Sequence, residues 1–170
     1  MNVVDSSGWL EYLAGGPNAD FFAPAVESPK TLIVPTISLF EVFKRVLVQR
    51  GEGDALQAVA LMQQGQIVEL TGTLALAAAH VSADLKLPMA DSIMLSTARA
   101  LGATLWTQDA DFDGLDGVQF VPHSKRLTRP RPAAPDQPLS IPRGRQRLSS
   151  ERAGLTGPSV RRMGPAPRDM

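Results

Sequence analysis

Five short apolar runs decide what this chain can fold into. Met1–Val4, Thr31–Pro35, Ile67–Leu70, Ala103–Thr107 and Val118–Val121 are each four or five residues long, too short for a stable helix. Most of their positions are apolar on both sides of a pleat, as expected of strands covered on both faces, and strands of that kind belong to parallel sheets flanked by helices. Helical patterns lie between them. The alternation predicts an α/β domain with a mainly parallel central sheet.

The intervening segments set the helix expectations. Trp9–Ala14 reads as a helix start after Asp5-Ser6-Ser7-Gly8, and the stretch with Pro17, Pro24 and Pro29 reads as a linker. Thr36 or Ser38 can cap a helix that runs to Arg50 and stops at Gly51. Gly53–Gln64 and the Ala-rich Leu74–Leu85 are two further helices. After Pro88, residues Ala90, Ile93, Met94, Thr97, Ala98 and Leu101 recur at helical spacing and form a core-facing stripe.

Charge divides the chain in two. Its 17 basic and 17 acidic residues cancel, yet residues 1–123 hold 6 basic and 14 acidic residues while residues 124–170 hold 11 and 3. The second segment also carries 8 of the 14 prolines and no aromatic residue. Such a composition cannot bury enough apolar surface to offset its ordering entropy, so it is expected to be a disordered basic tail. It reads either as an electrostatic arm for RNA, with Arg143, Arg145 and Arg147 in a cluster, or as an incidental appendage. Residues 1–123 suit one domain.

The absence of cysteine excludes disulfides, thiolate chemistry and Cys-ligated metals, and two histidines make a His-dominated metal site unfavourable. No basic leader precedes the first apolar residues and no apolar run is long enough to span a bilayer, so a cytoplasmic, soluble protein with no membrane partner is expected.

Ligands of open α/β sheets gather at the carboxyl ends of the strands, and four acidic residues fall there. Asp5 ends the first strand, Glu41 lies early in the helix after the second, Asp91 starts the helix after Pro88, and Asp109 follows the strand ending at Thr107. Each has a structural explanation as well. Asp5 or Ser6 can cap a helix, Glu41 can pair with Ser38 in a capping box, Asp91 suits the positive end of a helix, and Asp109 and Asp111 suit a turn. Together they differ, because converging carboxylates repel one another unless a cation neutralises them. Oxygen ligands alone select Mg²⁺ or Mn²⁺, and such a centre can hydrolyse phosphodiesters.

Val3-Val4-Asp5-Ser6-Ser7, Pro35-Thr36-Ile37-Ser38-Leu39-Phe40-Glu41-Val42, Leu87-Pro88-Met89-Ala90-Asp91-Ser92-Ile93 and Leu105-Trp106-Thr107-Gln108-Asp109-Ala110-Asp111-Phe112 stand in an order and spacing that resembles the PIN-domain family, in particular the VapC toxins of type II toxin–antitoxin pairs. The resemblance spans about residues 1–123. It implies a three-layer α/β/α domain and a Mg²⁺- or Mn²⁺-dependent endoribonuclease acting on tRNA or rRNA. It also implies catalytic and metal-binding roles for Asp5, Glu41, Asp91 and Asp109, with Asp5 and Asp91 as the main metal ligands. Ser6 and Thr107 would be supporting donors and Asp111 an outer acidic residue. Homodimers and a VapB-like antitoxin partner are implied as well.

The tail departs from that pattern, since such toxins end near Pro122-His123. Basic residues are also sparse in the folded part, leaving Lys44, Arg45, Arg50 and Arg99 for RNA phosphates or simply for a solvated surface. Trp9, Tyr12 and Trp106 read as core or dimer packing rather than as base-stacking platforms. Three other readings compete. They are a catalytically silent PIN-like scaffold, a metal-dependent phosphatase, and a receiver-like module that would need a lysine such as Lys125 after a late strand.

Overall fold

A computed structural model describes residues 1–124. The expected tail from Ser124 onward lies, beyond Ser124 itself, outside the described residues, as does Lys125. The strands are β1 (Asn2–Val4), β2 (Leu32–Pro35), β3 (Gln66–Val68), β4 (Thr104–Thr107) and β5 (Val118–Phe120). They form one sheet in the order β3-β2-β1-β4-β5, and every pairing is parallel. The chain therefore builds outward from β1 in one direction and later adds β4 to its other edge. The change of direction falls between β1 and β4, where sheets of this kind open a crevice at their carboxyl ends.

Alternation along the strands loads both faces. Ile33, Val3 and Leu105 lie side by side in register and pack with Met94, Leu95 and Phe112 on one face. Val4, Leu32 and Val34 point the other way, towards Trp9, Phe22, Val42 and Met62. The second core joins helices α1 (Ser6–Leu13), α2 (Ala19–Val26), α3 (Thr36–Arg50) and α4 (Glu52–Met62); the first takes in α6 (Met89–Ala100), with Val81 of α5 (Gly72–Leu85) packed against it. The result is a three-layer α/β/α arrangement. No helix among the described residues is long and apolar enough to cross a membrane.

Three local expectations need correction. The proline-containing linker holds α2, with Pro24 inside it. Its missing N–H and its ring are unfavourable there, and burial of Phe22, worth roughly 1.5–3 kcal/mol, together with that of Ala25 and Val26, offsets the defect. Phe22 also meets Phe21 edge-on, with ring centroids 5.0 Å apart. Helix α1 begins at Ser6 rather than Trp9, because Asp5 already caps it. Finally, α3 starts at Thr36 after Pro35 with no side-chain cap, so Ser38 is a buried helical residue whose hydroxyl has no partner among the described residues. The Ser38–Glu41 capping box does not form.

The stripe expected on α6 widens into continuous burial from Ser92 to Ala98, because the helix is enclosed between the sheet and α5. Its hydroxyls turn back on their own helix: Ser92 Oγ donates to the Pro88 carbonyl at 2.8 Å and Thr97 Oγ1 to the Ile93 carbonyl at 2.7 Å. Glycine matters most at Gly8. A Cβ there would lie 2.6 Å from a Phe22 ring carbon and 2.9 Å from a Val4 methyl, so its absence lets α1 seat directly against β1 and α2.

Candidate functional site

Asp5 is the residue at which β1 turns into α1, and it is buried. Its carboxylate accepts the Gly8 N–H at 2.7 Å, the Ser7 hydroxyl at 3.0 Å from either oxygen, and the Thr107 hydroxyl at 2.6 Å. Helix capping is thus a real role of Asp5. It is not a sufficient account of so buried a charge. Burial pushes the carboxyl up to about 6, against the pull of the bonds from Thr107, Gly8 and Ser7, and the charge of Asp109 pushes the same way.

Thr107 ends β4 beside β1 and is itself buried. Its Oγ1 donates to Asp5 and accepts the Asp109 backbone N–H at 2.9 Å, so one hydroxyl spaces two carboxylates. Asp109 in turn accepts the Asp111 N–H at 3.0 Å, capping the 3₁₀ turn Ala110–Phe112. Asp111 therefore stands at a helix start, as its structural reading expected. Ser6 does not cap α1; its hydroxyl donates to Glu41 Oε2 in a short contact that joins the starts of α1 and α3.

Asp91 occupies the first turn of α6, partly buried, and no hydrogen bond reaches its carboxylate from the described residues. Its carboxyl is pushed up to about 7, first by burial and then by the charges of Asp109, Asp5, Glu41 and Asp111. Asp91 thus feels all the other acidic candidates at once. The sole ion pair among the described residues, Arg50 with Asp54 at 3.7 Å, lies elsewhere. Among the described residues no lysine or arginine forms an ion pair with the cluster.

The carboxylates share a field without closing on a point: no group of three or more acidic or histidine side chains among the described residues is arranged to hold an ion directly. The donor chemistry still fits a hard cation. Every candidate ligand is an oxygen, and Mg²⁺ commonly takes one or two carboxylates and fills its remaining positions with water.

Arg45 and Lys44 lie exposed on α3 beyond Glu41, with Lys44 Nζ 5.7 Å from the Phe40 ring centroid. Arg99, by contrast, sits in the last turn of α6, leading to the start of β4 and away from Asp91. Trp9 and Tyr12 belong to the core, and the Tyr12 hydroxyl donates to Glu27 at 3.1 Å. Trp106 packs on Phe21 and donates its indole N–H to Asn2 at 3.0 Å.

Sequence reasoning assigned nothing to Ser7, Gln108 or Asn18. Gln108 donates to the Ser7 carbonyl at 3.1 Å and accepts from Asn18 Nδ2 at 3.0 Å, and Asn18 also reaches the Pro122 carbonyl at 3.1 Å. This brace fixes the loop after β4 to α1 and to the end of the described chain. The polar positions flanking Asp5 and Asp109 were the only signal for it.

The PIN domain family profile matches residues 3–118. No curated protein matches the sequence. Similar solved structures include a toxin–antitoxin complex from Klebsiella pneumoniae, 21% identical, covering 70% of this chain and 96% of that one at a TM-score of 0.60. Mycobacterium tuberculosis VapC20, described as a sarcin–ricin loop cleaving toxin, is 19% identical over 66% of this chain and 92% of that one, at 0.57. DNA-bound VapBC from Salmonella typhimurium is 12% identical over 72% and 97%, also at 0.57.

Proposed function

This chain belongs to the PIN domain family, and from that premise we propose that it is a VapC-like toxin, a Mg²⁺- or Mn²⁺-dependent endoribonuclease of the cytoplasm acting on tRNA or rRNA. The observation that carries the reading is the shared field of Asp5, Glu41, Asp91 and Asp109, with no ion pair to them among the described residues; burial first and that field second push Asp91 up to about 7. Folding alone gives no reason to assemble like charges in this way.

In this reading Asp5 and Asp91 hold the ion, while Glu41 and Asp109 complete the acidic shell. When bound, the ion supplies Lewis-acid polarisation of the scissile phosphate and neutralises charge that develops on it. Thr107 fixes the spacing of Asp5 and Asp109, and Ser6 aims Glu41 by donating to it. Because Thr107, Ser7 and the Gly8 N–H all donate to Asp5, its ionised form is favoured over what burial alone would allow. That is the form a cation needs.

A VapB-like antitoxin belongs to the same proposal, supported by the toxin–antitoxin complexes among the structural neighbours. So does a homodimer. Between α5 and α6 an apolar cavity of about 460 Å³ opens beside Met89, and Leu76 and Met89 are 70% and 71% exposed, surface that a second copy would cover.

The deciding experiment incubates antitoxin-free protein with total tRNA and rRNA in Mg²⁺, Mn²⁺ or EDTA, beside Asp91→Asn. Discrete metal-dependent products, absent in the variant, are expected. No cleavage in either metal by folded protein would refute the ribonuclease and favour a silent scaffold.

A further inference from the structure

Helix α1 is capped by Asp5 and α3 carries Glu41 in its second turn, and a groove of about 450 Å³ is lined by residues of both helices. Its near end is Ser7 and Gln108, the first bonded to Asp5 and the second preceding Asp109. Its far end is Ala14 and Arg50. From Ser7 to Ala14 the α1 wall is about 10 Å long at 1.5 Å per residue, roughly three stacked nucleotide steps of 3.4 Å. The volume lies within the range of about 300–1,000 Å³ typical of small-ligand sites.

The two walls differ in chemistry. Arg45 and Arg50 stand on the α3 side, and among the described residues Arg45 has no carboxylate partner. Among the described residues Arg50 has one carboxylate partner, Asp54, and its own side chain is 41% exposed, so solvent screens the pair. On the α1 side the lone carboxylate is Glu11, which accepts the Asn18 backbone N–H at 2.9 Å. Gln49, Gln108 and His123 offer donors and acceptors between the walls. His123 is held there because the preceding Pro122 carbonyl is tied to Asn18 and through it to Gln108. The α3 wall thus offers positive charge to a polyanionic strand, and Gln49 and Gln108 offer amides beside it.

We propose that the groove between α1 and α3 is the subsite for the single-stranded RNA that flanks the scissile phosphate, with Arg45 as its principal phosphate contact. Arg45 follows Glu41 by one helical turn, so its backbone position is about 6 Å further along the α3 axis than that of Glu41. That position separates attraction for the backbone from the chemistry. The assignment rests on the endoribonuclease reading for its choice of ligand.

The test measures anisotropy of a fluorescein-labelled single-stranded RNA with the full chain in EDTA, where no cleavage occurs, at a series of salt concentrations. Arg45→Gln should weaken binding about 3- to 10-fold and lower the slope of log affinity against log salt by about 0.7, the value for one phosphate on a single strand. Lys30→Gln removes an equal charge before the amino end of β2 and should change neither quantity. Equal affinity and slope for Arg45→Gln and Lys30→Gln would overturn the proposal and leave the groove to a protein partner. The two readings fail separately. If wild-type protein cuts no RNA but Arg45→Gln still loses affinity, the groove stands and the nuclease falls; if RNA is cut and Arg45→Gln binds it normally, the reverse holds.

Discussion

Asp91→Asn should stabilise the metal-free protein, and by an amount that depends on pH. The Asp91 carboxyl is raised from 3.8 to about 7, so between those values the folded chain binds more protons than the unfolded chain. Stability therefore falls as pH rises through this window and is level above it. The interval sets a ceiling of about 4 kcal/mol at 1.36 kcal/mol per pH unit. Asp91 is only partly buried, and solvent screening reduces the expected gain to about 1–2 kcal/mol at pH 8. For a domain of this size that corresponds to a rise in Tm of about 4–8 °C. Asparagine keeps the shape and removes the charge. Thermal unfolding in EDTA, followed by circular dichroism at pH 5 and pH 8, reads the difference, and the gain at pH 5 should be about a third of that at pH 8. An unchanged or lower Tm at pH 8, or an equal gain at both values, would refute the raised Asp91 carboxyl, which burial causes first and the neighbouring carboxylates second.

Adding Mg²⁺ or Mn²⁺ to chelated protein should raise Tm, by about 1.4 kcal/mol in stability at ten times the Kd, and the rise should be lost in Asp91→Asn when scanned by calorimetry. Thr107→Val should cost about 1–3 kcal/mol in urea unfolding, because it leaves the Asp109 N–H without its acceptor and removes a donor from Asp5. It should also move the acidic limb of the cleavage profile upward, since the Thr107 bond holds the Asp5 carboxyl down. Gly8→Ala should destabilise by about 1–3 kcal/mol through collision with Phe22 and Val4, read as a lower urea midpoint with an unchanged m-value.

Strands were legible because each is a short, mostly apolar run bounded by polar or rigid residues, and Val3 and Val4 needed no partner to declare themselves buried on opposite faces. Helix α2 was not legible. Pro24 argues locally against it, and what stabilises it is contact between Phe22 and residues that only the folded sheet brings near. Four acidic residues could be placed at strand and helix ends by counting along the chain. Their relations could not: the capping partner of Glu41 looked local at Ser38, whereas its actual donor, Ser6, is 35 residues away. The brace of Asn18, Gln108 and Pro122 is invisible for the same reason, since amide side chains carry no periodicity.

The sheet order has a consequence for synthesis. Because β4 lies against β1, Thr107 reaches Asp5 only after almost the whole described chain has been made, and Asp109 follows it. A chain emerging amino end first carries Asp5 and Glu41 long before, and Asp91 shortly before, the strand that closes their pocket. Products that end before Thr107 lack the fourth carboxylate and the hydroxyl that spaces the first. The acidic centre is thus absent from every such fragment and is completed only with Asp109, so that a partner needs to be ready only for chains that have passed it.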